Sequence, residues 1–427
     1  NYYIIDEAHQ LLEAANSVYG AEITQDTIPD LLDSVKYAGK DKHTREQYRQ
    51  LLARTLEKNA DIFRNIGLCL DDGEDRCTIE LNEQTIKDIS GILENLQKIE
   101  EFQTDSRKKR GCKMVKEQLS TFTHPGDYLC WMEVDRGNGM LSLCGVPTAM
   151  RGNLNRNLWS MPNTHWVLTS GTMKDDTGFR YFKHELGISG NIPEGATLEH
   201  SNGSPFDYKN HTRLYISENV PFPDMDDPEY IQAVCDEIVK LVHATRGHTA
   251  ILFTSYRMLR MVYEKVKKRL LDYRLIQMTR SDKTAIGQFK REKNSVLFAS
   301  GSMWEGVDCA GDVLSSVIIV RLPFPLRSQL MEYKKTQYDT VREFVQECAI
   351  PQMIIKLRQG AGRLIRTEND TGVIAILDSR AAKNGPYRER VLTALSQYPL
   401  TPSIYGVEQF ISAVKGTEYL EGGRASA

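Results

Sequence analysis

The chain has 427 residues, 41% of them hydrophobic and 26% charged, which excludes a disordered or fibrous protein and allows about three domains at ~150 residues each. Lys and Arg total 54 against 57 Asp and Glu, a net charge of −3, so there is no basic coat for nucleic acid and any such contact has to be a local groove. No apolar run approaches the ~18 residues of a membrane span, and the eight cysteines stand at least eight positions apart, which writes no C-x-x-C ligand set and fits a reducing cytoplasm.

The chain opens on Asn1-Tyr2-Tyr3-Ile4-Ile5, predicted as a buried strand already under way, and the expectation is a piece of a longer protein with an essential segment upstream. Asp6-Glu7-Ala8-His9 follows it, at the strand end where open α/β sheets place ligand chemistry. From Gln10 to Ser120, Leu11, Leu12, Ala15 and Val18, then Leu31, Leu32 and Val35, then Ile86, Ile89, Ile92, Leu93, Leu96 and Ile99 recur at spacings of three and four. This period predicts a long helical insertion with little strand. Residues 128–146 predict a hairpin, with Gly137-Asn138-Gly139 at its turn.

Beyond the hairpin, short apolar runs end in small polar residues. Trp166–Leu168 leads into Thr169-Ser170-Gly171-Thr172, Ala250–Phe253 into Thr254-Ser255-Tyr256, and Ser295–Phe298 into Ala299-Ser300-Gly301. Val317–Val320 and Gly372–Leu377 complete the series, with helical stretches near 228–244, 257–271 and 328–366. Alternation of strand and helix predicts a parallel sheet covered on both faces. The polar, Pro-rich passage 191–227 is expected to be a linker, and no repeat of 20–50 residues is present.

Three motifs carry chemistry. Asp6 at a strand end is suited to hold Mg²⁺ through its water shell, and Glu7 to orient or deprotonate an attacking water; a solvated acidic loop is the competing reading. Gln359-Gly360-Ala361-Gly362-Arg363-Leu364-Ile365-Arg366 spaces Gln359, Arg363 and Arg366 by four and three, which predicts one helical face carrying two guanidiniums for phosphate oxygens. A salt-bridged surface helix is the alternative there. Gly301-Ser302-Met303-Trp304-Glu305-Gly306-Val307-Asp308 follows a strand. Its glycines allow tight turns, its carboxylates and hydroxyls suit a nucleotide or a phosphate backbone, and Trp304 suits either a base stack or a core.

In this order, DEAH, TSGT, FTSY, GSMWEGVD and QGAGRLIR resemble motifs II to VI of superfamily 2 DNA helicases, and within them the DinG/XPD branch. Ser204-Pro205-Phe206, Leu322-Pro323-Phe324-Pro325 and Asp378-Ser379-Arg380 resemble a bacterial DinG-like protein. The resemblance implies an α/β fold of two RecA-like P-loop NTPase lobes, the first incomplete, with ATP between them and a mostly helical Arch insertion. The expected domains are 1–10 with 151–204 (remnant of lobe one), 11–150 (Arch with hairpin) and 205–427 (lobe two).

The resemblance further implies an ATP-dependent 5′→3′ helicase or translocase on single-stranded DNA, in repair or replication, cytoplasmic and monomeric. Asp6 would bind Mg²⁺ and Glu7 would be the catalytic base; His9, Ser170, Gly171 and Thr172 would couple hydrolysis to motion. Gly306, Asp308 and Gln359 would line the nucleotide site, with Arg363 and Arg366 reaching the phosphates. Ser255, Tyr256, Ser302 and Trp304 would lie near DNA.

The chain departs from the family in one respect: no G-x-x-x-x-G-K-S/T occurs anywhere in it, so the phosphate cradle is absent and the chain alone is expected to bind ATP weakly or not at all. A 4Fe–4S cluster is expected only upstream, if at all. Arg107, Lys108, Lys109 and Arg110, with Lys113 and Lys116, are candidate phosphate contacts at the edge of the insertion, against the plainer reading of a solvated charged face. Lys265, Lys267, Lys268 and Arg269 are expected to be solubilising, and His124, His243 and His248 have no metal-ligand pattern. A DEAH-type RNA helicase and a non-catalytic DNA-binding or interaction module remain as alternative functions; the insertion directly after DEAH speaks against the former.

Overall fold

A computed structural model describes the chain except for residues 36, 38–40, 68–75, 125, 136–137, 190–191, 193–194, 279–283, 293, 302–308, 310 and 422–427. It divides into two compact units: Asn1–Gly171 with Phe182–Thr197 and Leu326–Val341, and Thr172–Tyr181 with Leu198–Pro325 and Arg342–Ala427.

The first unit holds six strands among the described residues: β1 (Tyr2–Ile5), β2 (Ala21–Thr24), β3 (Arg76–Thr78), β4 (Tyr128–Asp135), β5 (Met140–Pro147) and β6 (His165–Leu168). β1 and β6 pair in parallel, Tyr2 opposite His165 through Ile5 opposite Leu168. The strand expected to be buried is not: Tyr2 is 80% and Ile4 74% exposed. Two paired strands have too little surface to enclose their own apolar side chains.

The expected hairpin is β4–β5, antiparallel, with Asp135 opposite Met140; Asn138 and Gly139 lie in its turn, and Gly139 has φ 72°. The expectation of an insertion with little strand needs correction. β2 pairs with β5 and β3 with β4, making a four-stranded antiparallel sheet, β2-β5-β4-β3. Strands of four and three residues are too short for a period of two to stand out beside long helices.

The helical reading holds around this sheet. Lys42–Gly67, Glu83–Glu101 and Ser106–Ser120 are helices, the second capped by Asn82 accepting from the Thr85 N–H and the third by Asp105 accepting from the Arg107 N–H. Ile89, Ile92, Leu96 and Ile99, spaced three, four and three, are all fully buried against Ile28, Leu119 and Phe122; each such side chain contributes ~1.5–3 kcal/mol. Val18, taken with the apolar period, is 77% exposed.

In the second unit, β7 (Thr212–Ile216), β8 (Thr249–Phe253), β9 (Arg274–Gln277), β10 (Ser295–Ser300), β11 (Ser316–Ile319), β12 (Gly372–Ile376) and β13 (Leu400–Thr401) form one sheet in the order β13-β7-β12-β11-β8-β10-β9. Every pairing is parallel. Alternate residues of each strand serve two cores. Leu214, Ala250, Leu297, Val317 and Ile374 face one with Met353 and Leu357; Tyr215, Ile251, Phe298, Ile318 and Val373 face the other with Val234, Ile238 and Val262. Pro228–Ala244 is the predicted helix, with Pro at its start and the Asp227 side chain accepting from the Glu229 N–H. The passage 191–227 is not merely a linker: β7 lies inside it and sits between β13 and β12. Its Thr-Arg-Leu-Tyr-Ile run was hidden by the surrounding proline and polar residues.

Candidate functional site

Parallel pairing of β1 with β6 brings DEAH beside TSGT. The ladder runs on past the strand ends, with the Thr169 N–H donating to Ile5 O and the Ala8 N–H to Thr169 O, both at 2.9 Å. The Thr169 hydroxyl donates to Asp6 Oδ1 at 2.7 Å and the Glu7 N–H to the same oxygen at 2.9 Å. The Thr169 hydroxyl, helped by that N–H, holds the Asp6 carboxyl below the usual carboxylate range. Asp6 is exposed, and Oδ2 carries neither of these bonds. One ionised oxygen open to solvent fits a Mg²⁺ ion that keeps most of its waters. Among the described residues there is no cluster of three or more His, Cys, Asp or Glu suited to a metal.

Glu7 has φ 50° and ψ 41°, a left-handed conformation that costs a non-glycine residue about 1 kcal/mol. It turns the chain from strand into the short helix Ala8–Gln10. The Ser170 hydroxyl donates to Glu7 Oε2 at 3.2 Å and lies 2.7 Å from His9 Nδ1; Nδ1 is itself 3.2 Å from Glu7 Oε2. With the serine proton directed at the carboxylate, His9 must carry a proton on Nδ1 to close the triangle. The arrangement ties the carboxylate expected to act on water to the hydroxyl expected to transmit motion. Thr169, to which the sequence reading gave no role, is the residue that fixes Asp6; its adjacency to the serine in TSGT was the available signal.

In the second unit, Gln359 is buried and its Nε2 lies 3.4 Å from Thr172 Oγ1. Its neighbour Arg358, which the sequence reading passed over, donates Nη1 to the carbonyls of Lys174 and Asp175 and Nε to Ala394 O. Burial lowers the Arg358 pKa, against the pull of Asp175 and Asp176. Arg390 pairs with Asp176 at 2.6 Å. The segment after TSGT is thus pinned to the helix Ile350–Ala361 by a half-buried guanidinium.

Gln359, Arg363 and Arg366 do not share a helical face. The helix ends at Ala361, and Arg363 and Arg366 lie in the turn and loop beyond. Gly360 and Gly362 are poor helix formers. The Arg363 N–H donates to Gly360 O and the Leu364 N–H to Ala361 O, the tighter three-residue spacing common at a helix end. Leu364 and Ile365, consecutive and both buried, draw the chain inward, and Arg366 emerges exposed.

Ser255 caps the helix Tyr256–Val266 by accepting from the Met258 N–H, and Tyr256 is half-buried at its start. Gly301 at the end of β10 has φ 68°, and a Cβ there would lie 3.5 Å from the Tyr256 hydroxyl. Ser302, Trp304, Gly306 and Asp308 lie outside the described residues. Arg107, Lys109 and Arg110 are exposed and Lys108 half-buried on the first turns of Ser106–Ser120, while Lys116 pairs with Glu100 at 2.6 Å. Asp378 and Arg380 form a fork-to-fork pair, with Oδ1 2.9 Å from Nε, and Asp378 Oδ2 also accepts from the Leu322 N–H at 2.7 Å.

Residues 238–398 match the family described as the helicase C-terminal domain. Over 429 residues the chain is 28% identical to the ATP-dependent DNA helicase YoaA of Haemophilus influenzae, covering 96% of this chain and 64% of that protein. It is also 28% identical over 286 residues to the 3′-5′ exonuclease DinG of Bacillus subtilis, covering 64% of this chain and 30% of that protein. The solved structure of S. tokodaii Xpd4 superposes with a TM-score of 0.60 at 16% identity, over 93% of this chain and 75% of that one. The chain is DinG/XPD-like. The seven-stranded parallel sheet, helical on both sides, is the RecA-like architecture that the motif order implied. The DinG/XPD-like chain spans less than two thirds of the length of the YoaA relative, and no helix among its described residues is long and apolar enough to cross a membrane.

Proposed function

We propose that this chain is the motif II-to-VI portion of an ATP-dependent 5′→3′ translocase on single-stranded DNA, in a cytoplasmic, monomeric protein of DNA repair or replication. The carrying observation is the Glu7–Ser170–His9 triangle. It links the carboxylate to which we assign water activation to a hydroxyl on the strand-end loop that leads into the second unit. The proposed domains are 1–10 with 151–204, 11–150 and 205–427.

In this reading Asp6 would hold Mg²⁺ through water, and the ion would supply charge neutralisation at the transferred phosphoryl group. Glu7 orients and deprotonates the attacking water. Arg363 and Arg366 contact phosphate oxygens, and Gln359, through Thr172, reports nucleotide state to the TSGT loop. With no glycine-rich lysine loop in its sequence, this chain on its own hydrolyses ATP slowly or not at all.

The test is ATP turnover by the full-length protein and by this chain, each with and without single-stranded DNA. DNA-stimulated turnover is expected in the full-length protein and is expected to fall at least ~100-fold on Glu7→Gln or Arg366→Ala. Unchanged turnover in both variants refutes the assigned roles. Unwinding only of 3′-tailed duplexes refutes the polarity, and DNA binding without any turnover favours a non-catalytic module.

A further inference from the structure

Asp370 is 4% exposed, and both of its oxygens are saturated by the loops around it. Oδ2 accepts from the Arg366 N–H at 2.7 Å and the Thr367 N–H at 2.8 Å; Oδ1 accepts from the Thr367 hydroxyl at 2.8 Å and the Gly311 N–H at 2.9 Å. We infer that Asp370 is a positioning residue for Arg366, tying the backbone that carries this arginine to the turn beginning at Gly311. This rests on the reading of Arg366 as a phosphate contact.

Three observations carry the inference. A buried carboxylate is costly unless donors surround it, and here three backbone N–H groups and a hydroxyl do so. Burial alone would raise the Asp370 pKa, but the Arg366, Thr367 and Gly311 donors outweigh it and hold the carboxyl ionised below its usual range. Gly311 is left-handed at φ 74°, a conformation glycine adopts without strain, and its N–H is one of the four donors.

The same turn is gripped from the other side. Lys415, whose side chain is 3% exposed, donates Nζ to Asp312 Oδ1 at 2.6 Å and to Thr371 O at 2.9 Å. Asp370 and Lys415 therefore bracket the joint between two loops: one follows the helix Ile350–Ala361 and carries Arg366, and the other precedes β11. An asparagine at 370 offers one accepting oxygen in place of two, and its amide would set a donor against at least one of the four donors. The arginine's backbone loses a fixed origin, and a displacement near 1 Å suffices to cost ~100-fold where geometry governs a rate.

The experiment compares Asp370→Asn, Arg366→Ala and the double variant in the full-length protein, reading kcat and KM for ATP at saturating single-stranded DNA. Amide hydrogen exchange is measured at Gly311, Arg366 and Thr367 in parallel. Asp370→Asn is expected to lower kcat ~10-fold or more with KM changed less than ~2-fold. The double variant is expected to be no slower than Arg366→Ala, because residues acting through one another are not additive. The three amides are expected to exchange faster while those of β12 keep their protection. Multiplicative losses in the double variant, or unaltered exchange at the three amides, overturn the inference. A wild-type protein with no turnover refutes the ATPase reading instead, and the exchange result then decides by itself whether Asp370 holds the loop.

Discussion

Replacing Glu185 with glutamine tests the electrostatics of the first unit. Glu185 ends the short helix Arg180–Glu185 and its side chain is 5% exposed. Arg151 donates to Oε1 at 3.0 Å, Lys334 pairs with Oε2, and His184 lies 3.6 Å away. Burial opposes the charged form, but the His184, Lys334 and Arg151 contacts win and lower the pKa to about 2 from 4.5. At ~1.36 kcal/mol per unit, that depression is worth about 3 kcal/mol of stability at pH 7. The folded-state pKa lies below the unfolded one, so the contribution is fully present well above pH 4.5 and is lost as pH falls towards 2. It should still be mostly present at pH 4 and fall to roughly half its pH 7 size by about pH 3. Urea unfolding of wild type and Glu185→Gln at these three pH values measures the difference directly. A gap that stays constant from pH 7 to pH 3, or one under about 0.5 kcal/mol throughout, refutes the argument, because a buried ion pair that merely balances its own desolvation would behave that way.

Ser170→Ala removes the hydroxyl shared by His9 and Glu7; duplex unwinding is expected to drop ~10-fold or more while DNA-stimulated ATP turnover in the full-length protein stays within ~3-fold, as read by parallel strand-displacement and phosphate-release assays. Equal losses in the two assays would assign Ser170 to hydrolysis rather than coupling. Replacing Arg107, Lys108, Lys109 and Arg110 together by alanine is expected to lower the slope of log affinity against log salt for single-stranded DNA by up to about 3, at ~0.7 per cation. An unchanged slope would make that cluster a solvated face.

Much of the architecture was legible because the strongest elements obey one period over enough residues. Ile89, Ile92, Leu96 and Ile99 announced a buried helical stripe, and the strands β8, β10, β11 and β12 stood out as short apolar runs ending in small polar residues. What escaped was short, interrupted or settled by tertiary contact. β2 and β3 are too brief to show alternation, and β7 was masked by its proline-rich setting. β13 spans two residues, Leu400 and Thr401, and is defined only by its neighbour β7. The arginines of the QGAGRLIR run were expected on one helical face, and they are not on one. Spacing by itself does not register that glycines at 360 and 362 end a helix before either arginine of the pattern is reached. Asp370 and Arg358 carried no motif: Arg358 binds backbone carbonyls of distant segments, and Asp370 adds to its local bonds with Arg366 and Thr367 a bond to the distant Gly311 N–H, which no local pattern exposes.

The segment Leu326–Val341 belongs to the first unit although the chain on either side of it belongs to the second. No single cut of the polypeptide therefore separates the two bodies. A recombinant piece beginning near residue 205 would carry Lys334 away from the Glu185 carboxylate it neutralises. Splitting this protein into independently expressed halves calls for replacing that excursion with a short polar bridge, or for supplying its acidic counterpart in trans.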